Sequence, residues 1–560
     1  MSVLIRAIKK HIKIEQIAVL TLLTVLVAAP IFQILSRSMY DGHSFDVMAP
    51  FRIILEGNLI KPIMNTLILG FCVVIGAGVV ALPLAFITAK TEIGKHKWLD
   101  LVILVPFMTP PYIGSMAWIL FLQPNGFFNQ LLPKISGQEQ LFFSFFGLVM
   151  IMSLHLFPFI YLIIKNALEN ISGNLDEAAV VHGASSTYKL IRITMPLLFS
   201  AFILGSLLVF VKAIGEFGTP VTFGRRIGFN VLTTEIHRYV SSWPISLSRA
   251  TSLSYFLLFT CILIWCIQSI FSKKLSYQTV NGKGMARIKK SLSKPQKIIS
   301  YFYIGLILTI SVGIPYFSIL ATSLIKLRGY GLQKGNFTLE HYLTLFKTGS
   351  SSAEAFLTSL KIAILSASIC VLIGILVALI VTNHSGKLSK LIDLLSLLPN
   401  SVPTIVLVIG LILFWNAKWH MIPIYNTFWM IVVTYVTFFI PYAVQYIKSA
   451  LSQISKSLQS AGKICGGSSF YNFRKIMLPL MMPGIIAGWT MTFTIAFREL
   501  VGAIMILPPG MQTSSTYIFN QFEQGEASKG MAMAVVSVLI TITILMLLNI
   551  FVDKRVNDGR

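Results

Sequence analysis

The chain has 560 residues, of which 55% are hydrophobic and only 12% are charged. Soluble domains carry about 25% charged residues, so a soluble protein is excluded and lipid must solvate much of this chain. The net charge of +25 does not indicate nucleic-acid binding, because the basic residues stand between apolar stretches and form no single basic domain. The five cysteines show neither zinc-site nor disulfide spacing.

Twelve stretches of 19 or more residues lack Asp, Glu, Lys and Arg, and a membrane-spanning helix needs about 20 apolar residues. The sequence therefore predicts an all-α membrane protein of about twelve transmembrane helices. A thirteenth stretch, 500–522, is interrupted by Pro508, Pro509 and Gly510, and we expect a broken or re-entrant segment there. The twelve are 16–36, 62–89, 101–133, 140–164, 193–211, 250–272, 298–325, 362–386, 394–417, 419–447, 476–497 and 530–552.

The distribution of basic residues predicts the orientation of the chain. With the N-terminus in the cytoplasm, 28 of the 45 Lys and Arg residues fall in cytoplasmic segments. The contrast is sharpest in the segment 272–297, which has eight basic residues and no acidic one. Because cytoplasmic loops are enriched in Lys and Arg, we expect both termini in the cytoplasm of a multi-pass protein.

An internal repeat divides the chain into two parts. We expect a first half at 1–271, a basic cytoplasmic linker at 272–297 and a second half at 298–560, each half with six helices in the same orientation. Residues matched at an offset of 283 include Pro158 with Pro441, Lys165 with Lys448, Gly183 with Gly466, Pro196 with Pro479 and Glu216 with Glu499. Upstream the offset is 293, matching Asp100 with Asp393, Pro106 with Pro399 and Pro110 with Pro403.

The segment 174–196, after the fourth span, has a helix–turn–helix pattern. Asn174 can cap a first helix, and Glu177 can complete a capping box. Gly183 can supply the left-handed turn that ends this helix, and Ser185 can cap the next one. The corresponding segment of the second half is 457–479. The residues by themselves also fit a capped surface helix with no further role.

The two segments resemble the EAA motif of ABC importer permeases. That resemblance implies the type I importer fold, built as two parallel six-helix repeats, and a short helix in each segment that docks on an ATPase subunit. The implied coupling residues are Glu177, Ala178, Ala179, Gly183 and Ala184 in the first copy and Ser460, Ala461, Gly462, Gly466 and Gly467 in the second. Ser460 departs from the motif, which has a glutamate there, so we expect Glu177→Ala to impair uptake more than Ser460→Ala.

Nearly the whole chain resembles the fused two-permease proteins of the ferric-iron importer group, FbpB/SfuB-like permeases. The resemblance implies a bacterial inner-membrane subunit that imports ferric iron with two copies of an ATPase and a periplasmic or lipid-anchored binding protein. Related permeases carry thiamine, phosphonates or polyamines, and these cargoes stay open. None of the four Gly-Lys pairs is followed by Ser or Thr as a P-loop requires, so ATP and Mg²⁺ would be bound by the partner and no cofactor by this chain.

Glu216 and Glu499 are matched carboxylates, each at the end of an apolar span. An intramembrane charge costs about 2.5–3.5 kcal/mol on insertion scales and is a functional candidate by default. Two carboxylates facing each other would offer oxygen ligands to a hard ferric ion. Because Lys212 and Arg498 lie near them in sequence, ion-paired structural carboxylates remain the alternative.

Three further features have simpler interpretations. His155 is expected to be a packed polar residue, since Phe438 stands at the matching position. Arg225 and Arg226 are expected to be a solvated pair in an external loop. Asp100 and Asp393 precede the third span of each half, where capping of a helix N-terminus accounts for them.

Two other protein classes share the span count. A secondary carrier would place ionisable residues within spans, whereas the twelve stretches contain none. A membrane scaffold would not need Pro and Gly residues duplicated at matching depths. The sequence also contains no nucleophile–base constellation, so we predict no catalytic activity in this chain.

Overall fold

The computed structural model describes residues 14–40, 44–133, 141–171, 181–274, 289, 291–417 and 423–558. Regular structure within these ranges is helical, and the β pairing there consists of two isolated bridges, Tyr40 with Phe45 and Ile325 with Phe337. Ten helices in the described ranges are long and apolar enough to cross a membrane, and two bent helix pairs raise the count to twelve. The prediction of an all-α fold with about twelve spans is confirmed.

The helices follow one another in the same order in both halves. In the first half they are α1 (Ile14–Ser38), α2 (Ile60–Lys90), α3 (Lys97–Met108), α4 (Pro111–Leu122), α5 (Phe145–Asn170), α6 (Leu190–Gly215), α7 (Gly218–Thr222), α8 (Leu232–Ser241) and α9 (Leu247–Lys274). In the second half they are α10 (Lys294–Leu324), α11 (Ser351–Asn383), α12 (Lys387–Ser401), α13 (Thr404–Trp415), α14 (Phe428–Ser452), α15 (Lys456–Ile464), α16 (Ser469–Phe497), α17 (Val501–Ile506), α18 (Ser514–Glu523) and α19 (Ala527–Asp558). Shorter helices or 3₁₀ turns lie at Ala49–Glu56, Glu92–Lys95, Phe127–Leu131, Ser186–Lys189, Gly224–Ile227, Arg328–Tyr330 and Glu340–Leu345.

The contacts divide the chain into two compact units. The first, here called the N-unit, comprises Ile54–Arg238 and Phe256–Thr338. The second, the C-unit, comprises Met1–Ile53, Tyr239–Tyr255 and Leu339–Arg560. The units therefore follow a different division from the duplicated halves of the sequence, since each unit takes its first span, α10 or α1, from the other half.

Each unit has a core of three long helices. In the N-unit α2, α5 and α6 pack on one another, and in the C-unit α11, α14 and α16 do the same. Small residues allow these helices to approach closely: Gly76 lies against Ser153 in the N-unit, and Gly484 lies against Ala450 in the C-unit. In lipid, where no hydrophobic force drives helices together, such close van der Waals contact is a main source of association.

The exchanged first spans pack in equivalent places. Within the C-unit α1 packs on α13, and within the N-unit α10 packs on α4. A Cβ atom at Gly410 in α13 would lie 2.5 Å from the carbonyl oxygen of Pro30, so the backbones touch there. In the N-unit the Thr109 hydroxyl, just before α4, is hydrogen-bonded to the Tyr316 hydroxyl of α10 at 2.8 Å.

The third span of each half is sharply bent. The pair α3 and α4 bends by 90°, and the pair α12 and α13 bends by 115°. The bends fall at the matched residues Pro110 and Pro403, which lack the N–H needed to continue a helix. The uninterrupted spans predicted at 101–133 and 394–417 are therefore wrong in shape, although their positions are right.

The segment after α6 or α16 is broken in both halves. The predicted break in 500–522 is confirmed, because α17 and α18 are separated by the turn at Pro508–Gly510. The first half contains the same arrangement in α7 and α8, which we did not predict. Glu216, Arg225, Arg226, Glu235 and Arg238 interrupt that segment, so a search for charge-free stretches passes over it.

In the part of the chain that the structure describes, four π-helical turns occur within the spans, in two pairs at corresponding places of the two halves. Each turn comes just before a proline near the start of an α-helical segment. This proline lacks an N–H, which disturbs the regular hydrogen bonding of the helix. The turns are Thr24–Ala28 before Pro30, Leu190–Thr194 before Pro196, Thr309–Gly313 before Pro315 and Phe473–Met477 before Pro479. π turns are rare and concentrate at functional sites, and two of these four directly follow the EAA-like turns.

Candidate coupling sites and family

The first EAA-like segment is described only in its second part. Glu177, Ala178 and Ala179 lie outside the described residues. Gly183 has a φ of +74°, the left-handed conformation that favours glycine, as predicted from the sequence. Ala184 follows it, and the Ser185 hydroxyl accepts a hydrogen bond from the Tyr188 N–H at 3.2 Å, which confirms the predicted cap.

The second EAA-like segment has the same glycine turn and serine cap as the described part of the first. Ser460, Ala461 and Gly462 lie in α15, which ends before Gly466 with a φ of +82°. Gly467 follows, and the Ser468 hydroxyl accepts a hydrogen bond from the Tyr471 N–H at 3.1 Å. The left-handed glycine and the serine cap therefore recur at the same offset of 283 residues.

Close packing holds α15 against the start of α16. A Cβ atom at Gly462 would lie 2.7 Å from Cδ1 of Ile476, and one at Gly467 would lie 2.7 Å from Oδ1 of Asn472. The Asn472 side chain donates to the Gly467 carbonyl at 3.2 Å. The small residues of this copy therefore allow the α15 turn to fold tightly onto the following span.

Both turns expose apolar side chains at matched positions. Val181 is 83% exposed and Ile464, its counterpart, is 85% exposed. Tyr188 is exposed in the first copy, and Phe470 and Tyr471 in the second. Exposed apolar side chains gathered on a turn between spans are typical of a surface that contacts another protein.

An ion pair with a buried lysine lies near the first EAA-like segment in the N-unit. The Lys165 ammonium of α5 is 2.5 Å from each carboxylate oxygen of Asp100 in α3. The Tyr161 hydroxyl also donates to Asp100 at 2.5 Å and is hydrogen-bonded to the Thr88 hydroxyl of α2 at 3.1 Å. These hydrogen bonds join the three helices α2, α3 and α5 in one polar network. The Lys165 side chain in this network is only 10% exposed.

The C-unit repeats the ion pair without the neighbouring tyrosine and glutamate. The Lys448 ammonium of α14 is 2.6 and 2.8 Å from the two carboxylate oxygens of Asp393 in α12. Val444 stands where the N-unit has Tyr161. Ser452 stands where the N-unit has Glu169, whose carboxylate is 3.9 Å from the Lys165 ammonium. The Lys448 side chain is 36% exposed, so this pair is more accessible to solvent.

These pairs correct two sequence-based expectations. Asp100 lies in the first turn of α3, as expected, whereas Asp393 lies beyond the first turn of α12. Neither was expected to pair with a lysine, but each binds a lysine of a different helix. The spans were also expected to be free of charge, yet α5 continues through Lys165 and α14 through Lys448. Searching for charge-free stretches cut both helices at their lysine. The repeat matched both lysines and both aspartates, and that coincidence could have revealed the pairs.

The end of the basic linker is attached to the loop after α2 in the N-unit. Glu92 accepts hydrogen bonds from the Lys297 ammonium at 2.9 Å and from the Leu292 N–H at 3.1 Å. Lys289 donates to the Gly94 carbonyl at 2.7 Å. The hydrogen bond from Lys297 is the main reason that the pKa of Glu92 lies below its ordinary value.

Glu216 follows the last residue of α6. Both of its carboxylate oxygens are 3.0 Å from the Thr219 N–H, so the side chain caps α7. The Glu216 backbone carbonyl accepts from the Thr233 hydroxyl of α8 at 2.9 Å. Glu216 thus fixes the turn that ends α6, within the N-unit.

Glu499 occupies the equivalent turn of the C-unit. Its carboxylate accepts hydrogen bonds from the N–H groups of Val501 at 2.9 Å and Gly502 at 3.4 Å. Its backbone carbonyl accepts from the hydroxyls of Tyr435 and Ser515. Among the described residues, no three His, Cys, Asp or Glu side chains form a group that could hold a metal ion.

The remaining candidates are placed as follows. His155 of α5 borders a small cleft beside Thr109, Ser311 and Tyr316 within the N-unit. At the matching positions of the C-unit stand Phe438 and Val402, at the offsets of 283 and 293, and Leu26 and Ile31, at an offset of 285 between the first spans; all four are apolar. Arg225 and Arg226 lie in an exposed 3₁₀ turn between α7 and α8.

The family of the chain follows from a comparison that matches both halves separately. The family described as "Binding-protein-dependent transport system inner membrane component" matches residues 81–277 and again residues 370–558. The chain belongs to this family. It is a multi-pass inner-membrane component of an ABC-type importer, and membership implies partners that bind substrate and hydrolyse ATP. The carrier and scaffold interpretations are thereby set aside.

Similar proteins extend this match to nearly the whole chain. The "Ferric transport system permease protein FbpB" of Actinobacillus pleuropneumoniae is 26% identical over 97% of this chain and 78% of its own length. The "Fe(3+)-transport system permease protein FbpB 2" of Haemophilus influenzae is 24% identical over 93% of this chain and 96% of its own. A Salmonella typhi protein named for 2-aminoethylphosphonate transport, PhnV, is 25% identical over 42% of this chain.

Proposed function

We propose that this chain is the transmembrane permease subunit of an ATP-driven, binding-protein-dependent importer of ferric iron. The observation that carries the proposal is the similarity to ferric transport permeases over more than nine-tenths of the chain. The division into halves 1–271 and 298–560, joined by the linker 272–297, belongs to the proposal. So does an orientation with both termini in the cytoplasm.

The proposed energy source is a pair of separate ABC ATPase subunits, one beneath each half. The exposed turns with Val181 and Ile464 support this because they are alike in shape and in apolar character. ATP and Mg²⁺ are bound by these partners, and this chain catalyses no reaction. The proposed coupling residues are Glu177, Ala178, Ala179, Gly183 and Ala184 in one half and Ser460, Ala461, Gly462, Gly466 and Gly467 in the other.

The proposed external partner is a periplasmic or lipid-anchored binding protein that delivers the iron. ATP-driven closure of the two ATPase subunits would draw the coupling turns together and open the pathway outward, and hydrolysis would reset it. The chain itself is surrounded by lipid and has no nucleic-acid partner. A phosphonate importer of the same design is the second candidate, supported by the similarity of one half to PhnV.

Cargo identity is tested by uptake in a strain that lacks this chain. Restoring the chain should restore uptake of radiolabelled ferric iron, and an excess of 2-aminoethylphosphonate should leave that uptake unchanged. Restored uptake of radiolabelled 2-aminoethylphosphonate in place of iron would reject ferric import and favour the phosphonate system.

Glu216 and Glu499 are proposed as oxygen contacts for the ferric cargo. A carboxylate has about four lone-pair sites, so capping α7 or α17 leaves acceptor capacity on each side chain. Glutamine keeps one oxygen for the cap but loses the charge. The variant Glu216→Gln with Glu499→Gln should therefore assemble normally and lose ferric uptake, and normal uptake by the assembled variant would reject the site.

A further inference from the structure

The ion pairs occupy a particular position relative to the EAA-like segments. Lys165 lies in the last turns of α5, the helix that leads into the first segment, and Lys448 lies in the last turns of α14, which leads into the second. Each lysine binds an aspartate on the first arm of a bent span, α3 or α12. One ion pair in each unit thus joins the helix entering the segment to the bent span.

The bent spans are suited to pass on a displacement. The second arm of each, α4 or α13, packs on the exchanged first span of the same unit. The two arms meet at Pro110 or Pro403 at angles of 90° and 115°, so a shift of the first arm alters the position of the second. A charged pair with two short hydrogen bonds is a more rigid link than apolar contact alone.

We propose that Lys165 with Asp100, and Lys448 with Asp393, are positioning residues that carry movement of the EAA-like segments into the bent spans. The inference rests on the proposed function, because it takes the segments to be moved by ATPase subunits. The pairs contact no cargo. Their task is to make α5 move with α3, and α14 with α12.

The two pairs should contribute unequally to this task. In the N-unit, Tyr161 and Thr88 extend the network to α2, and the lysine is largely buried. In the C-unit the pair stands without a tyrosine and is more exposed. Solvent screening weakens an exposed pair, so the N-unit pair is expected to dominate.

The test compares ferric uptake with ATP hydrolysis in the complete complex reconstituted with its ATPase and binding protein. The variant Lys165→Met with Asp100→Asn removes both charges and so leaves no unpaired buried charge. We expect normal ATPase copurification and continued ATP hydrolysis, but iron taken up per ATP should fall by about tenfold, within the range of known coupling energies. Restoring opposite charges with Asp100→Lys and Lys165→Glu should recover a substantial part of the ratio.

A structural role alone would give a different result. It would lower the amount of assembled complex or its melting temperature, while the surviving complex would keep the wild-type ratio of uptake to hydrolysis. A wild-type ratio in the assembled neutral variant overturns the inference. If this variant does not assemble, Lys448→Met with Asp393→Asn at the more exposed pair provides the same measurement, with a smaller expected fall and the same criterion for rejection.

A matched control is the exposed pair of Lys529 and Glu526 in the C-unit, 3.1 Å apart. Lys529→Met with Glu526→Gln removes an ion pair of the same kind away from the EAA-like segments, and the ratio should not change. The wild-type complex separates the two hypotheses. If it shows no ATP-dependent iron uptake, the proposed function fails. If it is active and the neutral variant keeps its ratio, only the inference about the ion pairs fails.

Discussion

The two halves of the chain share their backbone features but differ in their polar side chains. Left-handed glycines, serine caps, π turns and bends recur at constant offsets. At matched positions of the sequence, however, the first half has Glu92, Tyr161, Glu169 and Glu177, where the second has Ser385, Val444, Ser452 and Ser460. Duplication has thus preserved the geometry that proline, glycine and one ion pair impose, while the tyrosine that extends the ion pair, Tyr161, belongs to the first half alone.

This difference in polar side chains indicates that the two halves of the chain contribute unequally to function. The glycines, prolines and helix caps recur because each half has to form the same bent span and the same turn. Polar partners strengthen a link without changing its shape, so one half can lose them and still fold. We therefore expect substitutions in the first half to have larger effects than matched substitutions in the second.

The largest difference is expected between the two EAA-like segments. Glu177→Ala removes the motif glutamate of the first segment and should lower ferric uptake about tenfold, as the loss of a charge-assisted contact of about 1.5 kcal/mol would. Ser460→Ala should have a smaller effect. Uptake assays on reconstituted complexes with equal amounts of both variants make the comparison, and an equal loss in the two would contradict it.

The ion pairs should differ in their contribution to stability. Lys165→Met leaves Asp100 without its buried partner, and we expect a loss of about 3 kcal/mol in the free energy of unfolding. Lys448→Met affects a more exposed pair and should cost about 1 kcal/mol. Denaturant unfolding of the purified variants in one detergent measures both values. A larger loss for Lys448→Met would reverse the proposed ranking.

The smallest effect concerns Glu92 and pH. Because Lys297 holds the pKa of Glu92 below 4.5, the folded chain binds a proton at this carboxylate less readily than the unfolded chain does. The stabilising contribution is therefore present at neutral pH and is lost as pH falls below 4.5 through the lowered pKa.

The control for this prediction is Glu92→Gln, which cannot ionise. Its melting temperature should lie slightly below that of the wild type at pH 7, and the difference should disappear in more acidic solution. A difference that persists after the carboxylate is protonated would show that the linker contact does not depend on the charge.

The sequence predicted the number and order of the spans because apolar length depends on local composition alone. It also predicted the glycine turn and the serine cap, which are local features of a few residues around Gly183 and Ser185. It did not predict the bends at Pro110 and Pro403, although both prolines were matched. Whether a proline kinks a helix or divides it depends on packing with α10 or α1, which lies far away in the sequence.

The candidate sites were harder to predict for the same reason. Asp100 and Lys165 are 65 residues apart, so the residues next to either one do not indicate the ion pair. Capping was the only local explanation for the aspartate. Glu216 was identified as a carboxylate at the end of an apolar span, but its hydrogen bond to the Thr219 N–H depends on the unpredicted helix α7. The exchange of first spans between units has no sequence signal that we can identify.

The central claim is that each half presents its EAA-like turn to a separate ATPase subunit. Cys465 is exposed beside Gly466, and His182 occupies the matching position of the first half. Site-specific crosslinking of Cys465, and of His182→Cys in a Cys465→Ser background, measures the contacts directly in the complete complex. We predict a crosslink to the ATPase from each position, with one ATPase subunit for each turn. ATP-dependent iron uptake by a complex in which neither position can be crosslinked to an ATPase would contradict the account.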